Sequence, residues 1–191
     1  MSNKKRLDKI IVIDIEQTCW ASKEEQGEQP PEIIEIGLCK LHVDSLEITD
    51  KTSWLIKPMK SKISEYCTNL TGITQKNVNG GVIFSHACNK IAKNFGTKNR
   101  MYGAWGEDRS SISTECERWY IQSPFSDRYL NISSLFNIML GLKSAGVSVE
   151  NALKELGMEF EGRKHSAVDD AYNTARILRS IIKTCRGVLN E

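Results

Sequence analysis

The chain has 191 residues, enough for one domain with a sizeable core and short for two. Its 26 Lys and Arg nearly balance 24 Asp and Glu, a net charge of +2. This excludes the strongly basic signature of a protein that coats DNA, so any nucleic-acid site must be a local patch.

In chain order, Ile10 to Thr18 reads Ile-Ile-Val-Ile-Asp-Ile-Glu-Gln-Thr, a strand apolar on both faces, as suits an interior strand of a covered α/β layer. Alternation sends Ile11, Ile13 and Ile15 to one face and Ile10, Val12, Asp14 and Glu16 to the other. The two carboxylates then share a face, roughly 7 Å apart at about 3.3 Å per residue. An isolated Asp-x-Glu most often begins a solvated loop, and only partners elsewhere give it chemistry. Cys19 to Pro31 is a polar loop leaving the carboxyl end of that strand, the end at which α/β sheets place their sites. Glu32 to Val43 and Leu46 to Lys57 read as a second and a third strand joined by a turn at Asp44 and Ser45, with Pro58 as the stop. Ser64 to Gly72 and Thr74 to Gly80 read as one-turn helices.

Phe84, Ala87, Cys88, Ile91, Ala92 and Phe95 follow the spacing of one helix face, with Gly96 at the stop. Arg100 to Trp105 is a short fourth strand, and a helix from about Ser110 puts Ile112, Cys116, Trp119 and Tyr120 on one side. Tyr129 to Ile132 is a fifth strand feeding a helix through Leu135, Phe136, Ile138 and Met139. Ser148 caps a helix whose stripe is Val149, Ala152, Leu153 and Leu156, ending at Gly157. Six cysteines, at 19, 39, 67, 88, 116 and 185, form no Cys-x-x-Cys pair, which argues against a zinc module or a disulfide framework and for thiols in a reducing compartment. The charged opening Met1 to Arg6 holds no apolar signal segment and no later run approaches a membrane span. The expectation is a soluble, cytoplasmic protein that does not contact the membrane.

A last helix runs from just after His165 to about Arg186, and its phase separates two adjacent aspartates. At about 100° per residue, Asp169, Tyr172, Asn173, Arg176, Arg179, Ser180 and Lys183 fall on one arc, which is expected to face water. Asp170 falls on the other arc, beside Ile177 and Ile181, and is expected to face the protein. The helix dipole stabilises a first-turn carboxylate by only about 0.3–1 kcal/mol, too little to offset burial, so Asp170 needs a cation or a donor.

Asp14 and Glu16 after a first strand, Asp108 after a fourth, and His165 with Asp170 at a last helix together resemble the DEDDh 3′-5′ exonucleases of the RNase H-like superfamily. Asp-Ile-Glu-Gln-Thr-Cys-Trp at 14 to 20 is similar to the first motif of the branch that contains the histone-mRNA 3′ exonucleases and the bacterial KapD-like proteins. Glu32-Ile-Ile-Glu-Ile-Gly37, Leu70-Thr-Gly-Ile-Thr74, Leu130-Asn-Ile132 with Leu135-Phe136, and Leu156 to Arg163 before His165 agree with that branch. The resemblance covers nearly the whole chain and implies an α/β, RNase H-like fold: a central mixed sheet of about five strands with helices on both faces. Glu107 and Asp108 both stand behind Trp105 as the second-motif acid. Asp108 is chosen because the distance to Ile112 matches the family's spacing to an apolar residue better. Ser166 stands where related chains often carry a basic residue.

The resemblance implies that Asp14, Glu16, Asp108 and Asp170 hold two Mg²⁺ or Mn²⁺ ions, hard cations that prefer oxygen ligands, and that His165 takes the proton of the attacking water. It assigns a pocket for a free 3′ end to the turn after Glu16 and to Leu70 through Thr74, with backbone groups of Gln17 and Thr18 as candidates to meet the terminal ribose. Trp20 and Tyr66 are candidates to stack on bases, whereas Phe84 lies on an apolar stripe and reads as core. Lys57, Lys60, Lys62, Arg163 and Lys164 are candidates to follow the phosphate backbone. The expected function is a metal-dependent 3′-5′ exoribonuclease on single-stranded RNA, releasing nucleoside monophosphates. The alternatives are the same chemistry on DNA, which the sequence does not separate from RNA, and a regulatory binding protein that keeps the fold without turnover.

Overall fold

The structure, a computed structural model, describes residues 6–141 and 146–188. The charged start, Met1 to Lys5, lies outside them. In chain order the elements are β1 (Arg6–Gln17), α1 (Lys23–Gln26), β2 (Ile33–His42), β3 (Ile48–Leu55), α2 (Glu65–Thr71), α3 (Gln75–Asn79), α4 (Phe84–Phe95), β4 (Arg100–Ala104), α5 (Asp108–Arg118), β5 (Tyr129–Asn131), α6 (Ile132–Met139), α7 (Val149–Glu155) and α8 (Ala167–Val188). The five strands form one sheet in the order β3-β2-β1-β4-β5. β1 pairs antiparallel with β2 and parallel with β4; β2 to β3 is antiparallel and β4 to β5 parallel. The sheet is therefore mixed, with β1 at its centre.

The apolar periodicity of β1 explains that place. Ile11 and Ile13 pack with Ile36, Leu38, Phe84, Ile91 and Ile112 in a core under α4 and α5. Ile10 and Val12 pack with Cys39, Leu41, Ala175 and Leu178 in a second core under α8. A strand apolar on both sides has to be covered on both sides. β1 begins four residues earlier than its apolar run, because Arg6 pairs with Arg100 at the start of β4.

Two further differences have local causes. A one-turn α1 forms inside the polar loop, where the Ser22 hydroxyl accepts from the Glu25 N–H and so caps it. The side of α5 expected to hold Tyr120 stops short of it: the helix ends at Arg118, and Tyr120 sits at φ 53° with its side chain almost fully exposed. Of the six thiols, Cys39, Cys67, Cys88 and Cys116 are buried, and all six are free. No described helix is long and apolar enough to cross a membrane.

Candidate active site

Register on the sheet brings Asp14 opposite Gly37 and Glu16 opposite Glu35. Like charges directly opposite on a sheet repel, and the charge of Glu35 helps to raise Glu16. Glu35 is held by the first turn of α8, accepting from the Ala167 N–H at 3.1 Å. Two residues on, Gly37 lets that same turn come down onto the sheet, since a Cβ there would overlap the backbone of Ala167 and Val168. One turn further, the Cys39 thiol donates to the Ala171 carbonyl at 3.6 Å. The alternating residues 35, 37 and 39 of β2 thus seat the helix that carries Asp170.

The seating brings carboxylate oxygens of Asp14, Glu16 and Asp170 within 4.8 Å of one another. Asp170 Oδ2 is buried and has no hydrogen-bond partner. Burial, followed by the charges of Asp108 and Asp170, raises Asp14 well above the ordinary carboxylate range. Burial, then Asp170 and Glu35, pushes Glu16 up to about 8. Asp170 is raised to about 6 by burial, although the backbone N–H groups of His165 and Ser166 and the charge of His165 pull it down. Half-buried acids that repel one another and leave an oxygen unpartnered fit a cation, and an all-oxygen donor set fits a hard divalent one.

Asp108 belongs to the neighbourhood of this cluster but stands outside its tight group. It is the first residue of α5, two residues earlier than the helix start expected from sequence. Burial raises it to about 6, against N–H groups of its own turn and of Ile15. Glu107 is exposed, and its carboxylate accepts from the Asn131 amide at 3.4 Å. Of the two, Asp108 is the one whose charge raises Asp14. The turn before it is fixed from β5: the Tyr129 hydroxyl and the Asn131 amide both donate to the Gly106 carbonyl.

His165 sits in an exposed turn just before α8, in the left-handed region at φ 58°. The arc of α8 expected to face water is instead partly covered by this turn and the segment before it. Asn173 is fully buried and Arg176 is 8% exposed. The Asp169 carboxylate pairs with Lys51 at 2.7 Å and accepts from the Arg163 N–H at 3.0 Å. Helical phase placed Asp170 inward, as found, but periodicity alone could not show that a polar loop returns over the opposite arc.

The other expected contact residues are placed as follows. Thr18 is buried; its N–H donates to the Glu32 carbonyl and its hydroxyl accepts from the Glu32 N–H, both at 2.9 Å. Those two groups hold the end of β1 and are not free for a ribose. The Gln17 carbonyl accepts from the Cys67 thiol, and its side-chain oxygen from Ser111 at 3.1 Å. Cys19 and Cys67 tie the Trp20 loop to α2, where the Ser64 hydroxyl donates to the Cys19 carbonyl at 2.6 Å. Trp20 and Leu70 are both half-buried beside this join, and Phe84 is core. Glu35, Gly37 and Asn131 lie in segments that carry the family resemblance, but no role was assigned to them or to Tyr129 from sequence. Alternation opposite Glu16 is a further signal that points to Glu35.

The family model described as exonuclease, RNase T, matches residues 11–178. The rat 3′-5′ exoribonuclease 1 is 31% identical over 196 residues, covering 96% of this chain and 56% of that protein. Human ERI1 exoribonuclease 2 is 30% identical over 206 residues, 95% of this chain and 29% of that one. This chain thus spans about half the length, or less, of these relatives. Among solved structures, the nuclease domain of 3′hExo, described as a DEDDh family member bound to rAMP, superposes with a TM-score of 0.85 at 26% identity, covering 95% of this chain and 94% of that one. With the mixed five-stranded sheet and the acidic cluster at the end of its central strand, these matches show that the chain belongs to the RNase T family of exonucleases.

Proposed function

We propose that the chain is a 3′-5′ exoribonuclease dependent on two divalent ions, Mg²⁺ or Mn²⁺, with Asp14, Glu16, Asp108 and Asp170 as their ligands. The observation that carries this reading is the convergence of Asp14, Glu16 and Asp170 within 4.8 Å, with His165 five residues before Asp170. The RNA preference is supported by relatives named as exoribonucleases and by the rAMP bound in a related nuclease domain. Nucleoside 5′-monophosphate is the product this reaction would release.

Held there, the ions would lower the pKa of the attacking water and offset the charge on the developing and leaving oxygens. His165 accepts the proton of that water, a task suited to a side chain whose ordinary pKa is about 6.5. The water oxygen bonds to phosphorus and the bond from phosphorus to the 3′ oxygen of the preceding nucleotide breaks. That oxygen takes a proton from solvent and becomes the new 3′ end. Asp14 and Glu16 stay ionised in this scheme only with cations beside them, since burial alone favours their neutral forms. Half-buried Trp20 and Leu70, held against each other's elements by the Cys19–Cys67 join, are the groups proposed to receive the terminal nucleotide.

Labelled RNA and DNA oligomers of one sequence, incubated with Mg²⁺, Mn²⁺ or EDTA, test the proposal. Stepwise shortening of RNA from an unblocked 3′ end, abolished by EDTA, is expected. Faster loss of DNA would overturn the RNA assignment, and EDTA-insensitive cleavage would overturn the metal mechanism.

A further inference from the structure

His165 is the only non-glycine residue of its loop with positive φ, a conformation that costs of order 1–3 kcal/mol unless surrounding structure enforces it. The enforcement is visible on the face of α8 turned away from the acidic cluster. Asn173 grips residue 161 from both sides: its side-chain oxygen accepts from the Glu161 N–H at 3.1 Å, and its amide donates to the Glu161 carbonyl at 2.8 Å. Arg176 donates to the Glu159 carbonyl at 2.7 Å and to Asn173 at 2.8 Å, and pairs with the Glu161 carboxylate at 2.9 Å. Asp169 accepts from the Arg163 N–H, and Gly162, at φ 90°, leaves the room its carboxylate occupies. Lys51, reaching from β3, pairs with that carboxylate and lies over the Tyr172 ring.

These bonds fix segment 159–163 to a rigid helix two residues before His165. The buried polar groups of the set are bonded to one another or to the loop backbone, so removing one strands its partners. We propose that Asp169, Asn173, Arg176 and Lys51 are positioning residues for His165, with Asp169 the nearest link. The proposal rests on His165 being the general base. It also replaces a solvent role for Asp169 by one felt through the loop.

The test is a double-mutant cycle read by single-turnover rates on RNA with saturating Mg²⁺. Asp169→Ala is expected to lower kcat about 10- to 100-fold, the scale of a roughly 1 Å misplacement, with KM changed less than about threefold. Lys51→Met, at a partly exposed side chain, should lower kcat several-fold, and Asp169→Asn, which keeps an acceptor for the Arg163 N–H, should fall between. In a His165→Ala background Asp169→Ala should cause no further loss. Additive losses, or an unaltered rate for Asp169→Ala, would overturn the positioning role. A fully active His165→Ala would instead overturn the general-base reading beneath it. Should Asp169→Ala not fold, Lys51→Met and Asp169→Asn in the same cycle decide the question by the same criterion.

Discussion

The two halves of the proposed site are held by different physics. Asp14 and Glu16 sit on the central strand, with core packing on both faces and backbone pairing to β2 and β4, so their positions follow from burial and register. His165 sits in a strained, exposed turn, held by side-chain hydrogen bonds and ion pairs from α8 and β3. A strand buried on both sides tolerates change at single polar positions without moving. A loop held by a polar network moves when one link is cut. The strand half is therefore expected to fail by losing charge, and the loop half by losing position.

The largest expected effect tests the strand half together with its partner on α8. Asp14→Asn or Asp170→Asn should lower the rate by at least about 10³-fold, equivalent to roughly 4 kcal/mol of transition-state stabilisation, while thermal stability without metal stays equal or rises. A melting curve and a single-turnover assay on the same sample check both parts, and a large loss of stability in Asp14→Asn would break the distinction. Next comes Gly37→Ala, which removes no functional group but pushes the first turn of α8 off the sheet. A destabilisation of about 2 kcal/mol, or roughly 4–8 °C in melting temperature for a chain of this size, is expected from overpacking. The rate should fall too, because Asp170 travels with that turn.

The smallest effect is a dependence on pH. Glu16, at about 8, and Asp170, at about 6, are raised above their ordinary values chiefly by burial. The folded, metal-free protein then binds more protons than the unfolded chain. Their contribution to stability is complete below about pH 4 and is lost as the pH rises through 6 to 8. Divalent ions compete with those protons and favour the ionised acids, so the gain in melting temperature on adding Mn²⁺ should be larger at pH 8 than at pH 5. An equal gain at both pH values would show that the cluster is not where the metal acts.

Much of this was legible in the chain. The apolar alternation of Ile10 to Ile15 put Asp14 and Glu16 on one face, and the phase of the last helix turned Asp170 inward, because both periods follow from backbone geometry alone. The family resemblance then gathered Asp108 and His165 with them. Three features depended on which residues meet across the fold. Glu35 acquires meaning only opposite Glu16, and Gly37 only beneath Ala167. Thr18, a candidate for substrate, is bound to Glu32. The sequence by itself determined the strands, the inward acid and the family, since local periodicity and motif order carry them. Only the tertiary structure decided that Asn173 and Arg176 are buried and that Asp169 holds the turn before His165. The polar arc of a helix reads the same whether it meets water or a returning loop, and the contacts that distinguish the two join residues far apart in the chain.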